Sequence, residues 1–103
     1  RWRAARALLT RPEPEATDLL IALYQKETGV LRRFLVEALG KRHDVRAVPV
    51  LLGALADGDE EVRRRAGRAL EAISGQAYGT DVRAWQKWWA IERQNRKPAP
   101  AKK

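Results

Sequence analysis

Arg65-Ala66-Gly67-Arg68-Ala69-Leu70 restates, in altered form, two earlier stretches of the same chain: Phe34-Leu35-Val36-Glu37-Ala38-Leu39 and Arg3-Ala4-Ala5-Arg6-Ala7-Leu8, each 31 residues before the next. Ala7, Ala38 and Ala69 coincide, as do Leu8, Leu39 and Leu70, and Arg1, Arg32 and Arg63 stand seven residues ahead of those leucines. A fixed period of this size is the signature of stacked units, each burying its apolar face on a neighbour. Such a stack is a binding surface by default and a catalyst only where a site is grafted onto it.

Working outward, each copy of the pattern is preceded by a second apolar stripe. Ala16, Leu19, Leu20 and Leu23 recur 32 residues later as Val48, Leu51, Leu52 and Leu55, with the i, i+3, i+4, i+7 spacing of one helix face. These are the first helices of two hairpins. The second helices carry Leu31, Leu35, Ala38 and Leu39, and then Val62, Ala66, Ala69, Leu70 and Ile73. The offset changes from 32 to 31 between first and second helices, so the connecting turn differs by one residue, which turns tolerate.

Punctuation sets the boundaries. Pro12 and Pro14 fit the opening of a helix. In Asp57-Gly58-Asp59, Asp59 suits the cap of a helix that opens with Glu60 and Glu61. Gly40 and Gly75 lie near the ends of second helices, Thr80 or Asp81 suits the cap of the last helix, and Pro49 predicts a bend or a short preliminary turn over 44–48. The reading is six helices, at about 1–10, 15–26, 30–42, 47–56, 60–74 and 81–95, and no strand. It divides residues 1–95 into a partial repeat 1–10, repeats 15–43 and 44–75, and a cap 76–95, followed by a basic disordered tail 96–103. Trp85, Trp88 and Trp89 share one face of the last helix and are expected to close the stack by packing on helix 60–74.

Composition narrows the chemistry. With no cysteine there is no disulfide, thiolate metal site or thiol nucleophile. His43 is the single histidine and sits at a helix end, so neither a metal site nor a catalytic triad is expected, and no cofactor is implied. The longest apolar run, 19–24, is far too short to span a membrane. Of the net charge of +8, residues 82–103 hold +6: Arg83, Lys87, Arg93, Arg96, Lys97, Lys102 and Lys103 against Glu92 alone. The first copy of the pattern begins at Arg1 without a preceding helix, and the chain contains no Met, which leads to the expectation of the C-terminal piece of a longer array. The compartment stays open, cytoplasmic and exported both fitting.

These residues resemble HEAT-repeat proteins, in particular the short bacterial HEAT-like repeats. The resemblance rests on Ala47-Val48-Pro49-Val50-Leu51-Leu52-Gly53-Ala54-Leu55-Ala56-Asp57, followed by Glu61-Val62-Arg63 and by Ala66, Ala69 and Leu70. The copy before it departs from the pattern: Asp18 stands one place from the equivalent of Pro49, Gln25 replaces the loop Asp, and Leu31-Arg32 replaces Val-Arg. The segment Gly75-Gln76-Ala77-Tyr78-Gly79-Thr80-Asp81 with the three tryptophans looks like the closing segment of such arrays.

The resemblance implies an all-α fold, a short right-handed solenoid of helix hairpins with a C-terminal capping helix. It implies a ladder between neighbouring repeats in which Arg32 and Arg63 meet Asp57 or Asp59. It further implies that the second helices line the partner-binding surface, whose polar positions here are Arg6, Arg33, Glu37, Arg64 and Arg68. Some HEAT-like proteins act on alkylated DNA bases or attach bilin chromophores, but no catalytic motif is matched. The function expected is therefore a non-catalytic scaffold or protein-interaction module whose partner is another protein. Binding of nucleic acid or another polyanion through the basic second helices and basic end is the alternative, and Glu37 weakens it by interrupting the positive stripe.

Overall fold

Proline and aspartate open the helices, as their chemistry dictates. The computed structural model describes residues 1–96, which form α1 (Trp2–Leu9), α2 (Pro14–Lys26), α3 (Gly29–Lys41), α4 (Val48–Ala54), α5 (Glu60–Ser74) and α6 (Val82–Arg96), with no strand among them. Pro14 occupies the first turn of α2. A short 3-10 turn, Val45–Ala47, leads into α4, and Pro49 sits in that helix's first turn, where its missing N–H costs nothing. Asp44 caps the short turn by accepting from the Arg46 N–H. Asp59 caps α5 in the same way at the Glu61 N–H, 2.9 Å away, and Asp81 caps α6 at the Ala84 N–H, 3.1 Å away.

The helices form two layers. The second helices α1, α3 and α5 lie side by side, while α2 packs on α3 and α4 on α5. One core runs through both layers, with Leu20, Leu31, Leu35, Leu39, Val48, Leu51, Val62, Leu70 and Trp85 all buried. This is a short α-solenoid. Its tightest crossing is between α3 and α5: a Cβ on Gly40 would stand 2.7 Å from both Cα and Cβ of Ala69. Only glycine permits that approach, and the repeat places alanine opposite it.

The α1–α2 connection is held by one side chain. From the C-terminal cap of α3, Arg42 donates to the carbonyls of Leu8 (2.9 Å), Leu9 (3.3 Å), Arg11 and Glu13 (2.9 Å), and its Nε donates to the Thr17 hydroxyl at 2.8 Å. Helix α1 ends with carbonyls that have no partner within the helix, and the planar fork of an arginine satisfies several at once. Thr17, fully buried, depends on the same guanidinium.

The closing segment differs from expectation in its placement. Gly75 ends α5 in the left-handed region, at φ 77°, and the chain then crosses α5 at Gly67, where a Cβ would collide with the Gly79 carbonyl. Helix α6 itself makes its helix–helix contacts chiefly with α4 rather than with α5. The physical reason is the crossing at Gly67, which carries the chain back over α5 before α6 begins. Trp85 is the anchor: it is fully buried, its indole Nε1 donates to the Gly79 carbonyl at 2.7 Å, and it meets Tyr78 and Trp88 edge to face. Trp88 and Trp89 are only half-buried at the margin of the core. Arg96, expected in the tail, belongs to α6 and bonds Glu92 at 2.9 Å. The rest of the expected tail, 97–103, lies outside the described residues.

At the other end, Trp2 and Leu19 are exposed and Ala5 is buried. An apolar trough of about 550 Å3 opens between α1 and α2, lined by Ala4, Ala7, Leu8, Leu19, Ala22 and Leu23.

Candidate binding groove

Two charged systems are built on the second helices, and they have different consequences. The first is a ladder in which an arginine at the start of one second helix reaches an acid in the turn of the next hairpin. Arg1 pairs with Glu27 at 2.7 Å, Arg32 with Asp57 at 3.3 Å, and Arg33 with Asp59 through bonds of 2.8 and 3.3 Å. Around the middle rung the Arg32 guanidinium lies 4.3 Å over the Tyr24 ring, whose hydroxyl meets Asp57 at 3.3 Å. Burial raises the Tyr24 pKa, keeping the phenol a donor.

The ladder corrects two expectations. Arg63, equivalent to Arg32, meets neither the Asp57 nor the Asp59 carboxylate. It donates instead to the Asp57 backbone carbonyl at 2.6 Å, because no further hairpin supplies it with an acid among the described residues. Arg33, assigned to the partner surface, is a rung of the ladder. Its bonds hold the Asp59 carboxyl below its ordinary range, so Asp59 is at once cap and ion-pair acceptor. Arg64, also assigned to the partner surface, turns to Glu60 and Glu61 of its own helix.

The second system is a groove of about 350 Å3 between α3 and α5, lined by Glu37, Gly40, Lys41, His43, Arg65, Arg68, Ala69 and Ala72. It brings together two of the expected surface residues, Glu37 and Arg68, and leaves Arg6 apart on α1. Glu37 is held between Arg65 at 3.2 Å and Lys41 at 3.7 Å. Arg65 also bonds Glu61 at 2.8 Å, an interaction that lowers the Glu61 pKa. No carboxylate pairs with Arg68 among the described residues. At the end of the groove, exposed His43 is held at φ 53°, a left-handed conformation that a side chain makes costly.

Lys41, Arg65 and His43 are the groove residues that sequence reasoning did not assign to the binding surface. The signal existed: Lys41 follows Glu37 by four residues and Arg65 precedes Arg68 by three, the spacing of one helix face. What the groove can do follows from its groups. Cationic forks on one wall, a small apolar floor of Gly40, Ala69 and Ala72, and one carboxylate suit recognition of an anionic group beside a small apolar one. Among the described residues no cluster of three or more His, Cys, Asp or Glu could hold a metal ion. No described helix is long and apolar enough to cross a membrane.

Comparison with known proteins places the repeat. Deoxyhypusine hydroxylase of Gallus gallus is 37% identical over 75 residues, 71% of this chain and 25% of that protein. The Rattus norvegicus and Bos taurus proteins of the same name are 36% and 37% identical over the same lengths. The chain thus spans about a quarter of the length of the curated relatives it matches. No solved structure matches it. A family model for HEAT repeats covers residues 1–71, and with its paired helices stacked in two layers the chain belongs to the HEAT-repeat family.

Proposed function

We propose that the chain is a protein-recognition module that docks a partner on the layer formed by α1, α3 and α5 and carries no catalytic centre within the described residues. The observation that supports this is the α3–α5 groove, where charges of both signs surround a small apolar floor, the mixture that protein interfaces use. The relatives are named as enzymes. The likeness takes in about a quarter of the relatives' length, and a HEAT-repeat model covers residues 1–71 of this chain, which supports a shared repeat scaffold.

Site-specific photocrosslinking tests the reading. A photoreactive residue at Lys41 or Ala72, both exposed on this layer, is expected to yield protein adducts in the source cell. The same probe at Gln25 or Ala56, exposed on α2 and after α4, is expected to yield none. Adducts spread evenly over all four positions would defeat the proposal.

A polyanion-binding reading retains one supporting observation: Arg83, Lys87 and Arg93 are exposed on α6, and no acid pairs with them among the described residues. An electrophoretic shift assay at low and physiological salt separates the two. Counterion release predicts a log–log salt slope of about 0.9 per duplex phosphate neutralised, and binding that vanishes at physiological salt leaves the protein-docking reading first.

A further inference from the structure

We propose that the α3–α5 groove captures an acidic segment of a partner protein, one in which a carboxylate side chain stands beside an aliphatic one; this rests on the protein-docking reading above and names the chemistry of the partner. The carboxylate is recognised by Arg68, whose guanidinium has no acidic partner among the described residues and projects from the wall of the groove. An arginine fork binds a carboxylate through two parallel bonds. Lys41 and Arg65 stand on either side of Glu37 and reinforce the positive field.

The aliphatic side chain rests on the floor made by Gly40, Ala69 and Ala72. That floor is shallow relief imposed by the tight helix crossing, since any larger residue at position 40 would strike Ala69. At about 350 Å3 the groove has room for a pair of side chains and not for a folded domain.

The equivalent crossing one repeat earlier shows that this is not a generic property of the stack. In register, Leu9 replaces Gly40, Phe34 replaces Arg65 and Glu37 replaces Arg68. Leu9 takes the place of the glycine in its floor, Trp2 and Phe34 pack together with ring centres 5.2 Å apart, and its arginine, Arg6, stands in the place of Glu37, with the Glu37 carboxylate in the place of Arg68. Charge and relief coincide at the α3–α5 crossing. His43, held there in a left-handed backbone conformation, marks the end of the groove.

A peptide fits these groups better than a nucleic acid does. Glu37 on the groove wall repels any anion, a phosphodiester and a carboxylate alike, but a peptide also brings backbone N–H groups that can donate to it, which a nucleic-acid backbone lacks. Among the described residues the only ring that lines the groove is the His43 imidazole at its end, and one ring makes no platform for a run of stacked bases.

The test is fluorescence anisotropy on the full chain with a short labelled peptide of alternating glutamate and leucine. Companion peptides carry glutamine for glutamate or serine for leucine, and an oligonucleotide serves as competitor. The Glu/Leu peptide is expected to bind and both companions to bind markedly less. Arg68→Ala is expected to weaken binding about tenfold, the worth of one charge-assisted hydrogen bond. Ala72→Phe, which fills the floor, has the same effect, Arg83→Ala on α6 has none, and circular dichroism melts confirm that the variants remain folded.

Equal binding of the glutamine peptide, or indifference to both Arg68→Ala and Ala72→Phe, overturns the proposal. Displacement by an oligonucleotide whose own binding depends on Arg68 replaces it with the nucleic-acid reading. Crosslinks at Lys41 and Ala72 with no binding of the Glu/Leu peptide refute only the acidic chemistry. Absence of crosslinks on this layer removes the docking face itself.

Discussion

A single guanidinium closes the turn between α1 and α2. Because Arg42 serves four carbonyls and the buried Thr17 hydroxyl, Arg42→Ala leaves several acceptors without a partner and is expected to cost about 2–3 kcal/mol in denaturant unfolding. Arg42→Lys should recover less than half of that, since a compact ammonium cannot reproduce the fork. Nothing in the local sequence distinguishes Arg42 from its neighbour Lys41; only the return of the chain beneath it does. A second residue-scale expectation concerns pH. Asp59 and Glu61, with ordinary values of 3.8 and 4.5, are both held lower by hydrogen bonds from arginines, Arg33 and Arg65 in turn. A depressed folded pKa contributes stability that is present above the ordinary value and lost as pH falls through the folded one. Thermal stability should therefore decline on acidification below about pH 4.5, and Asp59→Asn should flatten that decline. An unchanged profile in Asp59→Asn would count against the pair.

At the scale of elements, the α3–α5 crossing and the α6 anchor are the sensitive places. Gly40→Ala forces a methyl into Ala69 and is expected to cost about 1–3 kcal/mol by overpacking, measurable as a lowered urea midpoint. Trp85→Ala should cost about 3–5 kcal/mol, the range for a buried large aromatic, with Trp89→Ala well below it. Equal losses at the two tryptophans would mean that α6 is not anchored where Trp85 lies. The helices and their stacking were legible in the sequence because apolar periodicity and proline, glycine and aspartate punctuation are local signals: Glu60–Ser74 matches the expected 60–74. The placement of α6 was not, because the crossing at Gly67 depends on a backbone carbonyl from a distant turn. The candidate site was half legible for the same reason. Glu37 and Arg68 are visible as polar positions of an apolar repeat, but whether an arginine is free or already paired depends on acids 26 to 28 residues away, as for Arg33 with Asp59 and Arg65 with Glu37.

For the whole molecule, a stack of hairpins has no single point on which stability rests; each unit leans on its neighbours. Hydrogen exchange is expected to be slowest in α3 and α5, which share the tightest crossing, and fastest in α1, which is short and bears an exposed Trp2 beside the apolar trough. Uniform protection across the helices would instead indicate one cooperative block. The ladder has a consequence for how such a molecule can change over generations. Each rung joins an arginine of one unit to an acid of the next, as Arg1 does with Glu27 and Arg32 with Asp57. A duplicated or deleted stretch that opens at the start of one second helix and closes at the turn before the next therefore carries whole rungs with it, Arg32 and Arg33 together with Asp57 and Asp59. Array length can drift by whole units without stranding a charge, while the last arginine settles for a carbonyl of its own turn, as Arg63 does.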